Sequence, residues 1–563
     1  MSEQRSLPSP NGGDVLVALM DALGIDVAFG VVSIHNLPLV DAIARDRRFV
    51  PVRHEAAAVN AADAYGRARG GIGMAITSTG TGAGNAAGSL IESLSAGSSV
   101  LHVTGQIESA YLGSGRGFIH ETKDQPAMLR AISKCAYTIY TASSAADILL
   151  GAAAESLTAP RGPASVEWPI DLQYQIHEAP SFTLPHPATA TPDPASIAEA
   201  VELIRRAERP LVWAGGGAAQ ARAETEELLD LIRAGLLTSN AGRGVVNEGH
   251  GGCVGNFASS PACAQLLQRS DLLVSIGTHF RSNETSDYDL ALPRPHIQID
   301  VAAEAIGRTY PADVGIVADA STALRALLDA LPDRTATEDS WLAVSASARR
   351  RARQHLRDTI GWQASICDAV RSALPRSAVI ARDVTIPSST WGNRLLAIDH
   401  PESNIFPHGG GIGQGLAMGI GAAIGRPDLP TLALVGDGGL AVHLGELLTL
   451  AQERPWMLLL LFNDRGYGVL RNTQDAFVNR RSGVDLTTPD FQCLASALDL
   501  PYWGVENLEQ IEDALAQALS TRGPAIVEVD VDAMGAMPRP FTPPVRVPTA
   551  DPQEAASSAS LWA

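Results

Sequence analysis

Two carboxylates placed at the ends of neighbouring apolar runs are the most chemically pointed feature of this chain. An apolar strand expected over Leu432 to Val435 runs into Gly436-Asp437-Gly438-Gly439, and after a helix-period stretch a second apolar strand ends in Asn463-Asp464-Arg465-Gly466. Magnesium and calcium take hard oxygen ligands, carboxylates and backbone carbonyls among them, and leave positions for diphosphate oxygens. Glycines after Asp437 would let the backbone approach a phosphate closely. Gly-Asp-Gly alone is a common turn, and an Asp at a helix start is often only an N-cap. The Asn-Asp strand end beyond the intervening helix favours the ligand reading.

A second candidate stands far from the first. Arg53-His54-Glu55-Ala56-Ala57-Ala58 puts a carboxylate just beyond a strand expected over Phe49 to Val52, at the head of an alanine-rich helix. A carboxylate surrounded by alanines is poorly solvated and can share a proton with a ring nitrogen. The ordinary alternative is that Glu55 simply favours the helix dipole.

These groups need a large scaffold. At 563 residues the chain is too long for one core. With 45% hydrophobic and 18% charged residues it is globular rather than disordered. The formal net charge of −19 gives no electrostatic support to binding nucleic acid or an anionic membrane. Five cysteines, Cys135, Cys253, Cys263, Cys367 and Cys493, show no CxxC spacing, which argues against a disulfide framework and against a zinc site. No signal-like N-terminus is visible, and the apolar run Trp456 to Phe462 is far too short to span a bilayer. The chain reads as cytoplasmic.

Short β-rich apolar runs alternate with longer Ala/Leu-rich stretches, the pattern of α/β domains with mostly parallel sheets flanked by helices. Three blocks are expected, over residues 10–178, 196–332 and 360–535, with a Pro/Ala/Ser-rich tail over 538–563 that is either disordered or draped over another surface. The Pro-rich stretch Ala179 to Ala195 reads as a linker. In the middle block a helix is expected over Ser196 to Ala207, with strands over Pro210 to Ala214, Asp271 to Ile276 and His296 to Asp300. Blocks one and three each have glycine-rich turns, Ser78-Thr79-Gly80-Thr81-Gly82-Ala83-Gly84-Asn85 and Gly409-Gly410-Gly411-Ile412-Gly413-Gln414-Gly415, so the two can share an architecture. Neither turn fits the nicotinamide pattern, which wants the glycines directly between strand and helix and an acidic residue later.

Taken together, RHEAAA, ERPLVWAGGGA (Glu208 to Ala218), GGGIGQGLAMGIGAAIG, GDGG and NDRGYG resemble the thiamine diphosphate-dependent enzymes of the acetolactate synthase, benzoylformate decarboxylase and pyruvate decarboxylase group, over nearly the whole chain. The resemblance implies a pyrimidine-binding domain, a central domain and a diphosphate-binding domain. It implies that Glu55 hydrogen-bonds the N1′ atom of the aminopyrimidine, that Ile412 is the wedge bending the cofactor, and that the Gly410 carbonyl takes the 4′-amino group. Asp437, Asp464 and the Gly466 carbonyl would ligate magnesium or calcium, and Asn85, Thr385, Gly436, Gly438, Gly439 and Tyr467 would also line the cofactor. Many relatives have Asn at the Asp464 position. Phe29-Gly30 is followed here by Val31-Val32-Ser33-Ile34-His35, where relatives often carry Pro-Gly.

The same resemblance bears on the reaction, a 2-oxo acid losing carbon dioxide with either protonation to an aldehyde or capture by a second carbonyl. His35 and His120 are candidates for the proton traffic, because imidazole suits acid/base work near neutral pH and both fall on loops that face the cofactor in relatives. A lone loop histidine is more often incidental. His54 reads as structural, and His408 as lining the pocket. His120-Glu121-Thr122-Lys123-Asp124-Gln125 resembles a stretch of the 5-guanidino-2-oxopentanoate decarboxylases, whereas acetolactate synthases usually carry Gln at the His120 position. The first expectation is therefore a non-oxidative decarboxylase. The alternatives are an acetolactate synthase-type carboligase and a non-catalytic cofactor-binding subunit, against which the retained Glu55 and metal motif speak. Acetolactate synthases bind FAD in the middle domain, and Gly215-Gly216-Gly217 neither demands nor excludes it. A homodimer or homotetramer with sites between subunits is implied, acting on a small 2-oxo acid.

Overall fold

A computed structural model describes residues 10–176, 178, 180–185, 190–331 and 337–543. Three domains follow one another, each a six-stranded, wholly parallel sheet flanked by helices. The first sheet contains β1 (Val27–Gly30), β2 (Arg48–Pro51), β3 (Gly73–Thr77), β4 (Val100–Gln106), β5 (Cys135–Thr138) and β6 (Ala164–Pro169), in the order β2-β1-β3-β4-β6-β5. The second contains β7 (Pro210–Ala214), β8 (Gly235–Thr238), β9 (Cys253–Gly255), β10 (Leu272–Ile276), β11 (His296–Asp300) and β12 (Val314–Val317), in the order β12-β11-β10-β7-β8-β9. The third contains β13 (Val379–Arg382), β14 (Asn404–Ile405), β15 (Thr431–Gly436), β16 (Met457–Asn463), β17 (Tyr502–Val505) and β18 (Ala525–Asp530), in the order β14-β13-β15-β16-β18-β17. The first and third sheets thus have one topology, and the middle sheet has the order of doubly wound nucleotide folds.

The central strands are buried on both faces, which explains their nearly unbroken apolar sequences. Every residue of Met457–Asn463 is buried, as is every residue of Leu272–Ile276. Among the described residues no helix or strand falls between Tyr174 and Pro194, and no helix is long and apolar enough to cross a membrane.

The first and third domains meet through two helices of small residues. Helix Glu55–Arg69 supplies alanines, and helix Gly415–Gly425, buried throughout, supplies glycines. A Cβ on Gly421 would run into the Ala61 carbonyl, and one on Gly419 would stand 2.8 Å from the Ala433 Cβ. The alanines after Glu55 and the glycines after Gly415 are therefore one packing feature.

Helix Trp341–Ile360, which the sequence reading left between blocks, spans from the second domain to the third. Its buried face is Trp341, Ser345, Ala348, Ala352, Leu356 and Ile360, whose small middle residues give a weak apolar signal, and the Trp341 indole donates to the Pro210 carbonyl at 2.7 Å. The start of the tail lies on the third domain: the Asn472 amide donates to the Phe541 carbonyl at 2.9 Å. Residues 544–563, and part of the polar stretch after Leu331, lie outside the described residues.

Candidate active site

Parallel pairing of β15 with β16, with Gly436 opposite Phe462, brings Asp437 and Asp464 to adjacent strand ends. Asp437 is buried. Its Oδ1 accepts the Asp464 amide at 3.2 Å and its Oδ2 the Gly466 amide at 2.8 Å. The turn folds back tightly enough that a Cβ on Gly438 would stand 2.7 Å from the Gly466 carbonyl oxygen, while one on Gly468 would run into Asp464 Oδ2. Burial raises the Asp437 carboxyl above its ordinary value. Burial, and then the charge of Asp437, push Asp464 up to about 7.

Two carboxylates crowded into a poorly hydrated turn repel one another, and a divalent cation removes that repulsion. Among the described residues no group of three His, Cys, Asp or Glu side chains is arranged to hold a metal. The donor set here is two carboxylates and the Gly466 carbonyl, which suits a hard cation that keeps further positions for phosphate oxygens. The residues present fit a cation-bound diphosphate. Thr385 Oγ1 lies 3.2 Å from the Cβ direction of Gly436, and the Tyr467 ring packs against Gly438.

Beside this turn runs the glycine loop before helix Gly415–Gly425. Gly410 and Gly413 have φ of 89° and 85°, conformations that favour glycine. Asp383, at the end of β13, pins the loop by accepting the Gly413 and Gly415 amides, each at 3.0 Å. Burial pushes the Asp383 carboxyl up to about 6 against the pull of those amides. The Ile412 side chain is left exposed.

Glu55 opens its helix, which His54 caps by accepting the Ala56 amide on Nδ1 at 3.1 Å. The carboxylate is half-buried rather than enclosed by the alanines that follow it. Asn85 Nδ2 donates to Glu55 Oε2 at 3.0 Å, and a Cβ on Gly82 would stand 3.0 Å from Oε1.

His35 and His120 are neighbours, their rings 5.2 Å apart and nearly perpendicular. His35 is buried and His120 exposed with φ 68°. Burial, and then His120, hold the His35 imidazole below the ordinary histidine range. His120 rests on Gly80, where a Cβ would stand 2.7 Å from the His120 carbonyl oxygen. One turn, residues 78–85, therefore carries Gly80 under His120, and Gly82 and Asn85 against Glu55.

Sequence reasoning did not identify what fixes that turn. Glu167, buried on β6, accepts from the Gln106 and Gln125 side-chain amides, each at 3.0 Å, and from Thr138 Oγ1 at 2.7 Å; Gln125 Oε1 in turn accepts the Gly80 amide at 2.8 Å. Gln125 ends the His-Glu-Thr-Lys-Asp-Gln stretch, which was the available signal. His408 stacks on Phe406 at 4.0 Å with Arg67 beside it at 3.3 Å, and burial with the arginines lowers it well below the ordinary range. It packs between domains.

No hydrogen bond or ion pair among the described residues joins Glu55, His35 or His120 to Asp437 or Asp464. The chain carries two separate groups of candidate residues. In the middle domain the point where strand order reverses lies between β7 and β10, and there a Cβ on Gly217 would stand 2.7 Å from the Gly277 Cα. Those glycines serve close packing of two loops.

Comparison with known proteins agrees with the three-domain fold. Family models described as thiamine pyrophosphate enzyme match in three parts: the N-terminal TPP binding domain over residues 10–128, the central domain over 197–327 and the C-terminal TPP binding domain over 387–529. The chain is 30% identical to a probable 2-ketoarginine decarboxylase of Pseudomonas aeruginosa, over 94% of this chain and 95% of that protein. It is 26% identical to a probable acetolactate synthase large subunit of Methanococcus aeolicus, over 94% of this chain and 93% of that one. It is also 26% identical to the acetolactate synthase isozyme 2 large subunit of Escherichia coli, over 93% and 96%.

Proposed function

Because the chain belongs to the thiamine pyrophosphate enzymes, we propose that it catalyses the magnesium- and thiamine diphosphate-dependent, non-oxidative decarboxylation of a 2-oxo acid to an aldehyde. The observation that carries this reading is the turn 78–85, which sets a paired imidazole and the Glu55 carboxylate side by side on one domain. An enzyme that must protonate its product needs such carriers beside the reacting group.

Asp437, Asp464 and the Gly466 carbonyl would hold the cation, and Gly436, Gly438, Gly439, Thr385 and Tyr467 would line the diphosphate. Ile412 and the Gly410 carbonyl would position the aminopyrimidine end. Glu55, oriented by Asn85, would hold the proton at N1′. When bound, thiamine diphosphate supplies the nucleophilic carbon and the electron sink that loss of carbon dioxide requires. His120 exchanges protons with solvent, and His35, neutral at pH 7, fixes the orientation of the pair. The reaction is redox-neutral, and the middle domain neither demands nor excludes FAD.

The two half-sites are completed by a second copy, in a homodimer or homotetramer. This is supported by apolar side chains standing in solvent around both halves of the isolated chain: Ile34 is 80% exposed, Ile119 72%, Leu470 51% and Ile412 39%. Five free cysteines support a cytoplasmic location.

The similarity to acetolactate synthase large subunits favours a second reading, carboligation. A panel of 2-oxo acids, 2-ketoarginine and pyruvate included, scored separately for carbon dioxide, aldehyde and acyloin, separates the two. Aldehyde matching the carbon dioxide released is the expected result, and acyloin exceeding aldehyde with pyruvate would overturn the first reading.

A further inference from the structure

Glu92 belongs to helix Ala87–Ala96 of the first domain, yet its carboxylate is spent on the third. The Gly409 amide donates to Oε2 at 2.5 Å and the Gly411 amide to Oε1 at 2.6 Å. Those amides flank Gly410, with φ 89°, and lead directly to Ile412. The fit is close: a Cβ on Gly409 would stand 2.8 Å from Glu92 Oε1, and one on Gly411 2.7 Å from the same oxygen. Glu92 is only 5% exposed. A carboxylate so buried is stable where donors satisfy it, and amide donors to an ionised acceptor make strong bonds. A glycine turn at positive φ has, in return, no regular ladder to hold it.

The third domain returns the contact. Glu446, 1% exposed at the head of helix Glu446–Glu453, accepts the Arg53 amide on Oε1 at 2.9 Å and the Thr449 hydroxyl on Oε2 at 2.6 Å. Arg53 stands two residues before Glu55. Helix Ala87–Ala96 lies between β3 and β4, and helix Glu446–Glu453 between β15 and β16, the same place in a shared strand order.

We propose that Glu92 and Glu446 are positioning residues: a reciprocal pair of carboxylate clamps by which each domain fixes the cofactor-facing turn of the other. This rests on the reading above that Glu55, Gly410 and Ile412 face thiamine diphosphate. Each clamp pre-forms a turn that would otherwise have to be ordered when the cofactor binds.

Amide hydrogen exchange, read by mass spectrometry on the cofactor-free full chain, tests this in wild type, Glu92→Gln and Glu446→Gln, with melting temperatures in parallel. Gln keeps the volume and one acceptor oxygen but turns an NH2 group toward an amide donor. Glu92→Gln is expected to raise exchange about 10-fold in peptides covering 406–415, leaving its own helix unchanged, and Glu446→Gln to do the same in peptides covering 52–56. Thiamine diphosphate affinity, followed by tryptophan fluorescence with saturating magnesium, should weaken about 10-fold in each variant with little change in melting temperature. Exchange rising only within the substituted helix, or in neither turn, overturns the proposal. If Glu92→Gln fails to fold, Gly409→Ala replaces it, since the added methyl displaces the same carboxylate and must loosen 406–415. Crossed exchange in the variants together with a wild type that never binds thiamine diphosphate would leave the clamps standing and sink the functional reading.

Discussion

The first and third sheets have the same strand order, and their carboxyl ends carry opposite kinds of chemistry. In the first, glycines after β3 admit the His120 backbone against Gly80 and the Glu55 carboxylate against Gly82. In the third, glycines after β15 admit the Gly466 carbonyl and the Tyr467 ring against Gly438 and the Asp383 carboxylate against Gly439, and the Gly466 amide closes on Asp437. On the proposed reading, one topology gives an acid/base half and a cation half, and the residues on the turns make the difference. The middle sheet, with a different order, packs Gly215 and Gly217 against the Gly277 loop and Gly235 against helix Trp341–Ile360. Topology fixes where a crevice lies, and a handful of turn residues fix its chemistry.

The comparison breaks most readily at Glu55. Glu55→Gln should lower kcat about 1000-fold while thiamine diphosphate still binds in magnesium, because the cation half is untouched. A loss of cofactor binding comparable to the loss of turnover would show that the halves are not separable. The complementary change, Asp437→Ala, should weaken cofactor binding about 100-fold, and chelation should do the same to wild type, with magnesium restoring the wild type alone. Binding indifferent to chelator would remove the cation from the third sheet.

Substitution of His120 by Ala should slow aldehyde release about 10- to 100-fold and divert product toward acyloin where a second carbonyl is supplied. An unchanged product ratio would make the imidazole pair incidental. The smallest effect concerns stability. Asp383 has a folded-state value raised to about 6, so the fold binds its proton more tightly than the unfolded chain does. Its contribution is present at low pH and is lost as pH rises toward that value. Relative to Asp383→Asn, the wild-type melting temperature should therefore fall by roughly 2–4 °C between about pH 4 and about pH 7. A parallel pH dependence in both proteins would contradict it.

The meeting of Asp437 with Asp464 was legible in the sequence because it is local: they stand at the ends of two adjacent strands joined through helices. Glu55, His35 and His120 could be named singly, but the turn that gathers them depends on Glu167, Gln106 and Gln125, which meet only through β4 and β6. The long helix Trp341–Ile360 was missed because Ser345, Ala348 and Ala352 bury themselves without a strong apolar period. Glu92 and Glu446 sit inside helices, where a glutamate ordinarily faces water, so nothing in the chain marks them as donor-satisfied. That first and third domains share strand order was anticipated from their glycine turns, whereas the helix–helix contact through Ala61 and Gly421 appears only in three dimensions.

The central claim is that each working site joins the Glu55 half of one chain to the Asp437 half of another. Coexpressing Glu55→Gln with Asp437→Ala, each inactive alone, tests it directly. Hybrid dimers would hold one site with both halves intact, so about a quarter of wild-type activity should return on random pairing. Recovery of none, with hybrids demonstrably formed, would place both halves within a single chain and contradict the account.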